Sequence, residues 1–485
     1  SAYVVISRHH RIRLPPPRTS DTVRLAPRAA NVLPGIPPEF TALLCVFADY
    51  LGLSMVTPAL PFYLADLGVA EPELWVGAIL SAQFAAVVVG NIVWGSVADR
   101  YGVKIALLST ISGDTVFFAL SAAASTPALL VAVRFLVGSF SPLVPALTNI
   151  FAVLPPADTA KGLGRYSLAV CGGYVIGSSV VGPVYESLSW LGTCLFTAAF
   201  AGSALVYTAW APAPRRDAGP HPKPEGVTAA LRTPLFVVHA GGQFMVGFGF
   251  NVGFAILAVA LPGEFGWTVR QVSFGFLAVA LVLAACFLYV APWAVRVCGN
   301  ERLALIGNLL LLPSSVLLAT PLRTLSGVLY VALACAHFVA ITALHIPNQV
   351  RGRIIGDRYT TNGTGAVAGT GRTFFALGQA TSPAASLGLY ARVGRAAPWY
   401  VFAIMSLCLF ALHVVLGVWR LGWIAGGCME APPEEQDSYA HGGGPPSGDG
   451  ATRGAGVTLA ANGEEAASVT VEEGKQRGEA VQAPV

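Results

Sequence analysis

Charged side chains are scarce in this chain. They make up 11% of its 485 residues, against about 25% in a typical soluble domain, while hydrophobic residues make up 54%. So much apolar surface cannot be covered in water, which excludes an ordinary soluble protein, and the mean hydropathy of +0.64 agrees. The formal net charge is only +4, and no stripe of basic residues indicates a nucleic-acid partner.

The chain also lacks the motifs that mark several classes of catalyst. No phosphate-binding loop of the Walker type is present, which argues against transport driven by ATP. No histidine and cysteine cluster has the spacing of a metal site, and the eight cysteines show no paired spacing. We therefore expect a protein that is not an enzyme and that uses neither a metal nor another cofactor.

Long apolar segments are what the chain has in abundance. A helix that spans a bilayer needs about 20 mostly apolar residues. Such spans are predicted near 40–64, 75–97, 105–124, 127–150, 165–187, 190–212, 233–261, 271–294, 302–320, 324–347, 363–389 and 397–425. The eleventh span is the least apolar, and a polar, proline-rich stretch separates the first six spans from the last six.

These spans divide the chain into five parts. Residues 1–38 are predicted to be a disordered basic tail, and residues 426–485 a disordered acidic tail. Between them lie an N-terminal six-helix bundle at 39–212, a cytoplasmic linker at 213–232 and a C-terminal six-helix bundle at 233–425. Similar elements recur six spans apart, which indicates duplicated halves, as transporters often have.

Lysine and arginine are distributed unevenly among the loops, and loops rich in them stay cytoplasmic. The loops after even-numbered spans carry Arg100, Lys104, Lys161, Arg165, Arg215, Arg216, Lys223, Arg232, Arg296, Arg302, Arg351, Arg353 and Arg358. The loops after odd-numbered spans carry only Arg270, Arg323, Arg392 and Arg395. Both termini are therefore predicted to be cytoplasmic in a multi-pass protein, in the plasma membrane or an organelle membrane.

The turn between the second and third spans has a distinctive pattern. It reads Gly95-Ser-Val-Ala-Asp99-Arg100-Tyr-Gly102-Val-Lys104. This resembles the loop 2–3 signature of the major facilitator superfamily, Gly-x-x-x-Asp-Arg-x-Gly-x-Lys/Arg. The resemblance implies a gate, in which the carboxylate faces the positive N-terminus of the eleventh span and the basic residues form salt links between the halves. The alternative is that these residues only set topology.

The first and fourth spans add to the resemblance. The first span contains Asp49 and runs through a Gly-x-x-x-x-x-Pro segment to Pro61, which is similar to the first helix of drug:proton antiporters and vesicular amine transporters. The fourth span has Arg134 followed four residues later by Gly138, as in a second motif of the superfamily. The resemblance covers roughly 40–425. It implies an all-α membrane protein with twelve transmembrane helices in two pseudo-symmetric six-helix bundles.

The fifth span departs from the antiporter pattern Gly-x-x-x-Gly-Pro. Here Gly173 and Gly177 are followed by Ser178, and Gly182-Pro183 lies further along. The motif therefore does not separate antiport from symport or uniport. Two small residues four apart allow close approach of a neighbouring helix, which needs no further role.

Charged residues inside spans are the first candidates for mechanism. A charge at the centre of a span costs about 2.5–3.5 kcal/mol on insertion scales, so it usually faces a cavity or a partner. We predict that Asp49 binds a proton or substrate, with Arg134 as its countercharge. A purely structural role is the alternative for Asp49. For Asp114, a functional role and a structural role are both left open. The spans of the second half contain no acid, since Glu264 and Asp357 lie in predicted loops, which argues against a cationic amine substrate.

Uncharged polar groups complete the candidate site. Glutamine, asparagine and histidine inside spans can line a cavity, although they also bind helices to one another. These candidates are Gln83, Asn91, His239, Gln243, Asn251, His337 and Gln379. Arg372 is a further cation, expected near the cytoplasmic end of the eleventh span or further in.

The sequence thus predicts a secondary active transporter. It would use a proton gradient to export a small organic solute, as in multidrug efflux, by rocking of two bundles around a midplane site. A facilitator or symporter for another metabolite is an alternative, and so is a transporter-like sensor without net flux. The expected partners are the solute and the lipid bilayer, and the expected working unit is a monomer.

Overall fold

A computed structural model describes residues 39–154, 159–211, 225–320, 326–360 and 364–419, and both predicted tails lie outside these ranges. The helices are α1 Phe40–Asp66, α2 Pro72–Tyr101, α3 Val103–Ser121, α4 Pro127–Ser139, α5 Leu143–Val153, α6 Thr159–Trp210, α7 Val227–Leu231, α8 Pro234–Phe265, α9 Val269–Ala285, α10 Ala291–Cys298, α11 Asn300–Ala319, α12 Gly327–Tyr359, α13 Thr364–Arg392 and α14 Ala397–Trp419. A π-helical turn, Cys286–Val290, joins α9 to α10.

The predicted fold class is confirmed. Ten helical segments of the described chain are long and apolar enough to cross a membrane. One of them, at 164–210, contains two spans, because the chain reverses within α6 at Ser189, which has φ 56° and ψ −164°. The least apolar predicted span is also helical and forms α13. Twelve spans result.

The fourth predicted span is broken in the middle, and the break shapes the site. Helix α4 ends at Ser139 and α5 begins at Leu143. Pro142 lies between them, and its missing amide hydrogen prevents the α4 ladder from continuing. The backbone amides of the two preceding residues bond to carbonyls three residues back, which tightens the last turn. Ser141 is thereby turned toward α1.

The small residues of α6 lie where α6 crosses α1. A Cβ atom at Gly173 would lie 2.7 Å from the carbonyl oxygen of Phe47, and one at Gly177 would overlap Ser54 Oγ. The hydroxyl of Ser54 donates to the carbonyls of Leu51 (2.9 Å) and Gly173 (3.1 Å). The absence of side chains on α6 therefore allows direct backbone approach between the two helices.

The first six spans contact the last six at the ends that the charge pattern assigns to the outer side. Helix α2 meets α13 where the hydroxyl of Ser81 accepts from the amide of Ala384 at 3.0 Å. Helix α6 meets α9 where Ser273 Oγ donates to the carbonyl of Ser178. An ion pair between Arg270 and Glu186, 2.5 Å apart, lies beside it. These predicted outer ends of the two sets of helices are packed against each other.

A larger side chain at Gly182 is expected to force these outer ends apart. A Cβ atom there would lie 2.7 Å from the Cα atom of Arg270 and 3.0 Å from the Cβ atom of Ser273, so a Gly182→Leu side chain has no room. The matched control is Gly263→Leu, also near the outer side, where a Cβ atom would contact nothing within 4 Å.

The measurement is the distance between spin labels at positions 70 and 394, one in each half. Gly182→Leu should lengthen this distance by several ångström relative to the wild type, and Gly263→Leu should leave it unchanged. Equal distances in all three proteins would show that a larger side chain at Gly182 does not force the two sets of helices apart at this contact.

Orientation is tested separately. With cysteine introduced at position 70 or 220, an impermeant thiol reagent applied to intact cells with the protein at their surface should label 70 and spare 220, because the Lys/Arg-rich loops are predicted to be cytoplasmic. The reverse labelling pattern would overturn the assigned orientation.

Candidate substrate and proton site

A narrow cavity lies between the first six and the last six spans. Asp49 of α1, Gln83 of α2 and Ser141 line it from the first set, and Gln379 of α13 lines it from the second. A neighbouring cavity shares Leu53 and Phe84 with it. Each has room for about one water molecule in this conformation. A larger guest requires movement of the surrounding helices.

Asp49 is the acid in this cavity. Its side chain is 9% exposed, and Oδ2 accepts a hydrogen bond from Ser141 Oγ at 3.2 Å. No basic side chain of the described residues forms an ion pair with it. A carboxyl group held by one hydroxyl and withdrawn from water is suited to gain and lose a proton as its surroundings change.

The predicted pairing of Asp49 with Arg134 is wrong. Arg134 is fully buried and lies over the ring of Phe118, 5.3 Å from its centroid. The acid close enough to interact with it electrostatically is Asp114 of α3, also fully buried. The two form no contact within 4 Å, and no polar atom of either side chain has a hydrogen-bond partner among the described residues. Arg134 and Asp114 form a second charged site inside the first set of helices.

Three of the predicted polar groups gather near Asp49. Gln83 and Gln379 line the same cavity. Asn251 of α8 lines the adjoining cavity, and its Nδ2 donates to the backbone carbonyl of Gln379 at 3.1 Å. The side-chain oxygen of Gln83 has no hydrogen-bond partner among the described residues, so it remains available to a ligand.

Four other candidates lie apart from both cavities as the structure describes them. Asn91 and Gln243 each carry a buried side-chain oxygen without a hydrogen-bond partner in the described chain. His239 packs against the backbone of two glycines of α12 and α13. His337 lies edge-on to two aromatic rings, with Nδ1 3.4 Å from Ser314 Oγ. These positions are those of helix-packing groups.

Lys104 of the loop 2–3 motif makes a contact that the resemblance did not predict. Its amino group donates to the carbonyl oxygen of Ala209 at 3.0 Å and to that of Ala211. A cation at these carbonyls stabilises the C-terminal end of α6. Arg100 is exposed and lies over the ring of Tyr101, 5.4 Å from the centroid. In this conformation, Lys104 therefore acts within the first set of helices and forms no salt link to the described residues of the other half.

The structure explains why glycine occupies two positions of the loop 2–3 motif. Gly102 has φ 99° and ψ 152°, which favours glycine, and it turns the chain from α2 into α3. A Cβ atom at Gly95 would lie 3.3 Å from a methyl group of Val144 on α5. The side chain of Asp99 lies outside the described part of the structure, so its predicted gating contact remains a prediction.

A series of aromatic rings in contact joins the two sets of helices. The sequence analysis did not predict it. The rings of Tyr50 and Tyr174 are 5.4 Å apart, and Tyr174 stacks on Phe254 of α8 at 5.3 Å and 5°. Phe254 in turn contacts Phe276 at 5.7 Å and Phe338 at 4.6 Å. Tyr174, Phe254 and Phe276 line the second cavity, which gives it an aromatic wall.

A buried charged cluster lies among helices of the second set. Arg351 is 1% exposed and donates to both carboxylate oxygens of Glu301, at 3.1 and 2.5 Å. It also donates to Asn348 Oδ1 at 3.1 Å and lies 2.9 Å from His413 Nε2. The Arg/Lys pattern predicted Arg351 in a loop, but α12 continues to Tyr359. The cluster connects α11, α12 and α14.

The acids predicted to lie in loops of the second half are on helix ends. Glu264 is in the last turn of α8, where it accepts from the hydroxyl of Tyr390 at 2.5 Å. Asp357 is near the end of α12 and pairs with Arg353 at 3.4 Å. Neither lines the cavities, and no other acid in the described part of the second half does so.

Two sets of six membrane-spanning helices that meet around a cavity with one buried carboxyl group define a protein of the secondary-transporter architecture. Residues 42–241 match the family model of the Major Facilitator Superfamily. The matched residues make up about two fifths of the chain, and over this length the chain is similar to that superfamily, in agreement with the predicted resemblance.

Curated relatives match over part of the chain. The staphyloferrin B transporter of Staphylococcus aureus (strain NCTC 8325 / PS 47) is 32% identical over 140 residues, which is 28% of this chain and 34% of the relative. The multidrug resistance protein MdtG of Yersinia enterocolitica is 28% identical over 173 residues, 35% of this chain and 42% of the relative. The matched part of the chain thus spans about a third to two fifths of these relatives.

Solved structures match over most of the helical part. The nucleoside transporter NupG has a TM-score of 0.60 and 12% identity, covering 79% of this chain and 100% of that one. The human organic anion transporter MFSD10 (TETRAN) has a TM-score of 0.55 and 18% identity, covering 78% of this chain and 100% of that one. At these identities the similarity shows the fold.

Proposed function

We propose that the protein is a secondary active transporter that moves a small organic solute across the membrane in exchange for protons. The observation that carries this proposal is Asp49, an ionisable group in a cavity to which both sets of helices contribute. An acid at that depth is costly, and a proton that binds and leaves during each cycle gives it a purpose. No driving force other than the proton gradient is proposed.

The conformational part of the proposal is alternating access. The polar contacts between the outer ends include the Arg270–Glu186 pair, whose side chains are 54% and 34% exposed. An exposed pair of this kind contributes about 0–1 kcal/mol, so this ion pair opposes separation of the outer ends only weakly. Rocking of the two sets around the cavity would expose Asp49 to each side in turn.

The names of the relatives support a small organic solute and export. One is a multidrug resistance protein and another a transporter of staphyloferrin B. Each similarity covers 28% of this chain. The solved structures with a similar fold are named for other substrates, an organic anion and a nucleoside, so the fold alone does not identify the solute.

The test is flux into proteoliposomes that contain the purified full-length chain. A panel of organic solutes is supplied outside, with a pH gradient imposed in either direction and the membrane potential clamped. Proton exchange predicts accumulation above the external concentration when the interior is acidic, and none when the gradient is absent. Uptake that reaches equilibrium but ignores pH would favour a facilitator. Saturable binding without uptake would favour a sensor.

A further inference from the structure

Arg372 is a cation on the cavity face of α13, and no acid among the described residues forms an ion pair with it. It lies seven residues before Gln379, two turns or about 10 Å along the helix axis on the same face. Phe375 is between them on that face, and the Arg372 guanidinium lies over its ring, 5.5 Å from the centroid. Gln379 lines the Asp49 cavity, so Arg372 lies on its predicted cytoplasmic side.

Three polar side chains from other helices lie near this guanidinium. Tyr50 of α1 and Tyr166 of α6 are close enough to interact with it electrostatically, as is His345 of α12. The ring of His345 contacts Phe375 at 5.7 Å, which places it on the same side of α13. The surroundings of Arg372 thus come from both halves of the protein.

These groups have ion-pairing and hydrogen-bonding capacity that the described residues do not use. Within the described residues, Arg372 forms no ion pair, and neither tyrosine hydroxyl has a hydrogen-bond partner. Nδ1 of His345 is buried and also has no partner there. A half-buried cation without a countercharge is unfavourable by itself, since it repels further cations and has lost part of its hydration. An anion would satisfy all of them together.

We propose that Arg372, Tyr50 and Tyr166 bind the carboxylate of the transported solute, which is therefore an organic anion with an apolar body. The inference rests on the proposed transport function and names its substrate class. A guanidinium fork binds a carboxylate through two parallel charge-assisted hydrogen bonds, and the tyrosine hydroxyls donate two more. The aromatic wall of Tyr174, Phe254 and Phe276 accepts the apolar body.

The test uses three probes with one ring system and different charge: naphthalene carboxylate, naphthalene carboxamide and naphthylmethylammonium. Their dissociation constants are measured on the full-length chain in nanodiscs of zwitterionic phosphatidylcholine, so that no anionic headgroup competes. The wild type should prefer the carboxylate. Arg372→Gln should weaken carboxylate binding about ten- to hundredfold and change amide binding less than about twofold. Arg372→Lys should recover part of the loss, because it keeps the charge but not the fork.

Matched variants separate this role from folding. Tyr50→Phe and Tyr166→Phe remove only a hydroxyl and should each weaken the carboxylate about two- to tenfold. Arg358→Gln removes an exposed cation near the end of α12 and should have no effect. If Arg372→Gln does not fold, the double tyrosine variant decides the question.

The proposal is overturned if the wild type prefers the amide or the ammonium probe, or binds the carboxylate more weakly than about 1 mM. It is also overturned if the folded Arg372→Gln protein, or the double tyrosine variant, keeps the wild-type affinity. The proposed function is judged by a different result, pH-driven accumulation of any solute. Accumulation of a neutral or cationic solute would therefore leave the transporter proposal intact and refute the anion site alone.

Discussion

Replacing Arg351 by methionine is expected to lower the free energy of unfolding by about 3–5 kcal/mol. The variant removes the two Arg351 donors from Glu301, which is 15% exposed, and leaves that carboxylate facing His413 without its main countercharge. Breaking one partner of a buried pair costs more than the pair contributes, because the remaining charge has already lost its water. Unfolding of the purified protein in mixed micelles of increasing denaturing detergent measures the change.

Arg353 provides the matched control on the same helix. It is 63% exposed and pairs with Asp357 four residues later at 3.4 Å. Arg353→Met should therefore change stability by less than about 0.5 kcal/mol. A second comparison replaces Glu301 by leucine together with Arg351→Met, which should recover most of the loss because no unpaired acid remains. If Arg351→Met and Arg353→Met have equal effects, the cluster does not contribute to stability.

The helices could be predicted because their signals are local. Apolar runs of bilayer length and the alternation of basic loops depend on composition within about 20 residues, and neither needs a tertiary contact. The same local signals led to the wrong prediction that Arg351 lies in a loop. An arginine-rich segment predicts a loop, but α12 extends beyond the apolar run to Tyr359. Its burial depends on Glu301 and His413, which are 50 and 62 residues away in the chain.

The pairing of charges inside spans could not be predicted for a related reason. Sequence shows that Asp49, Asp114 and Arg134 lie in apolar helices, but not how those helices are rotated about their axes. Close packing of α3 on the end of α4 determines the rotation: a Cβ atom at Gly113 would overlap the ring of Phe140. Arg134 is then directed toward α3. Because the helix breaks after α4, the hydroxyl of Ser141, and not Arg134, contacts Asp49.

Loss of pH-driven accumulation is the expected result for Asp49→Asn. If one proton is exchanged per solute, a gradient of one pH unit supports about a tenfold concentration ratio, since each unit corresponds to about 1.4 kcal/mol. The asparagine side chain has nearly the same shape, and its carbonyl oxygen can still accept from Ser141. It cannot ionise at any pH. The ratio should therefore fall from about ten to one, while binding and exchange of solute across the membrane persist.

Asp114→Asn is the comparison that locates the coupling site. Asp114 and Arg134 are both fully buried, so removing the acid leaves an uncompensated cation in the first set of helices. We expect this variant to lose stability, measured by the same detergent titration. Its folded fraction should still accumulate solute in response to a pH gradient. Asp49→Asn should do the opposite, with normal stability and no coupling. Accumulation against a gradient that persists in Asp49→Asn and disappears in folded Asp114→Asn would move the proton site to Asp114. Arg134 would then be its countercharge, and the hydrogen bond from Ser141 to Asp49 would be a packing contact.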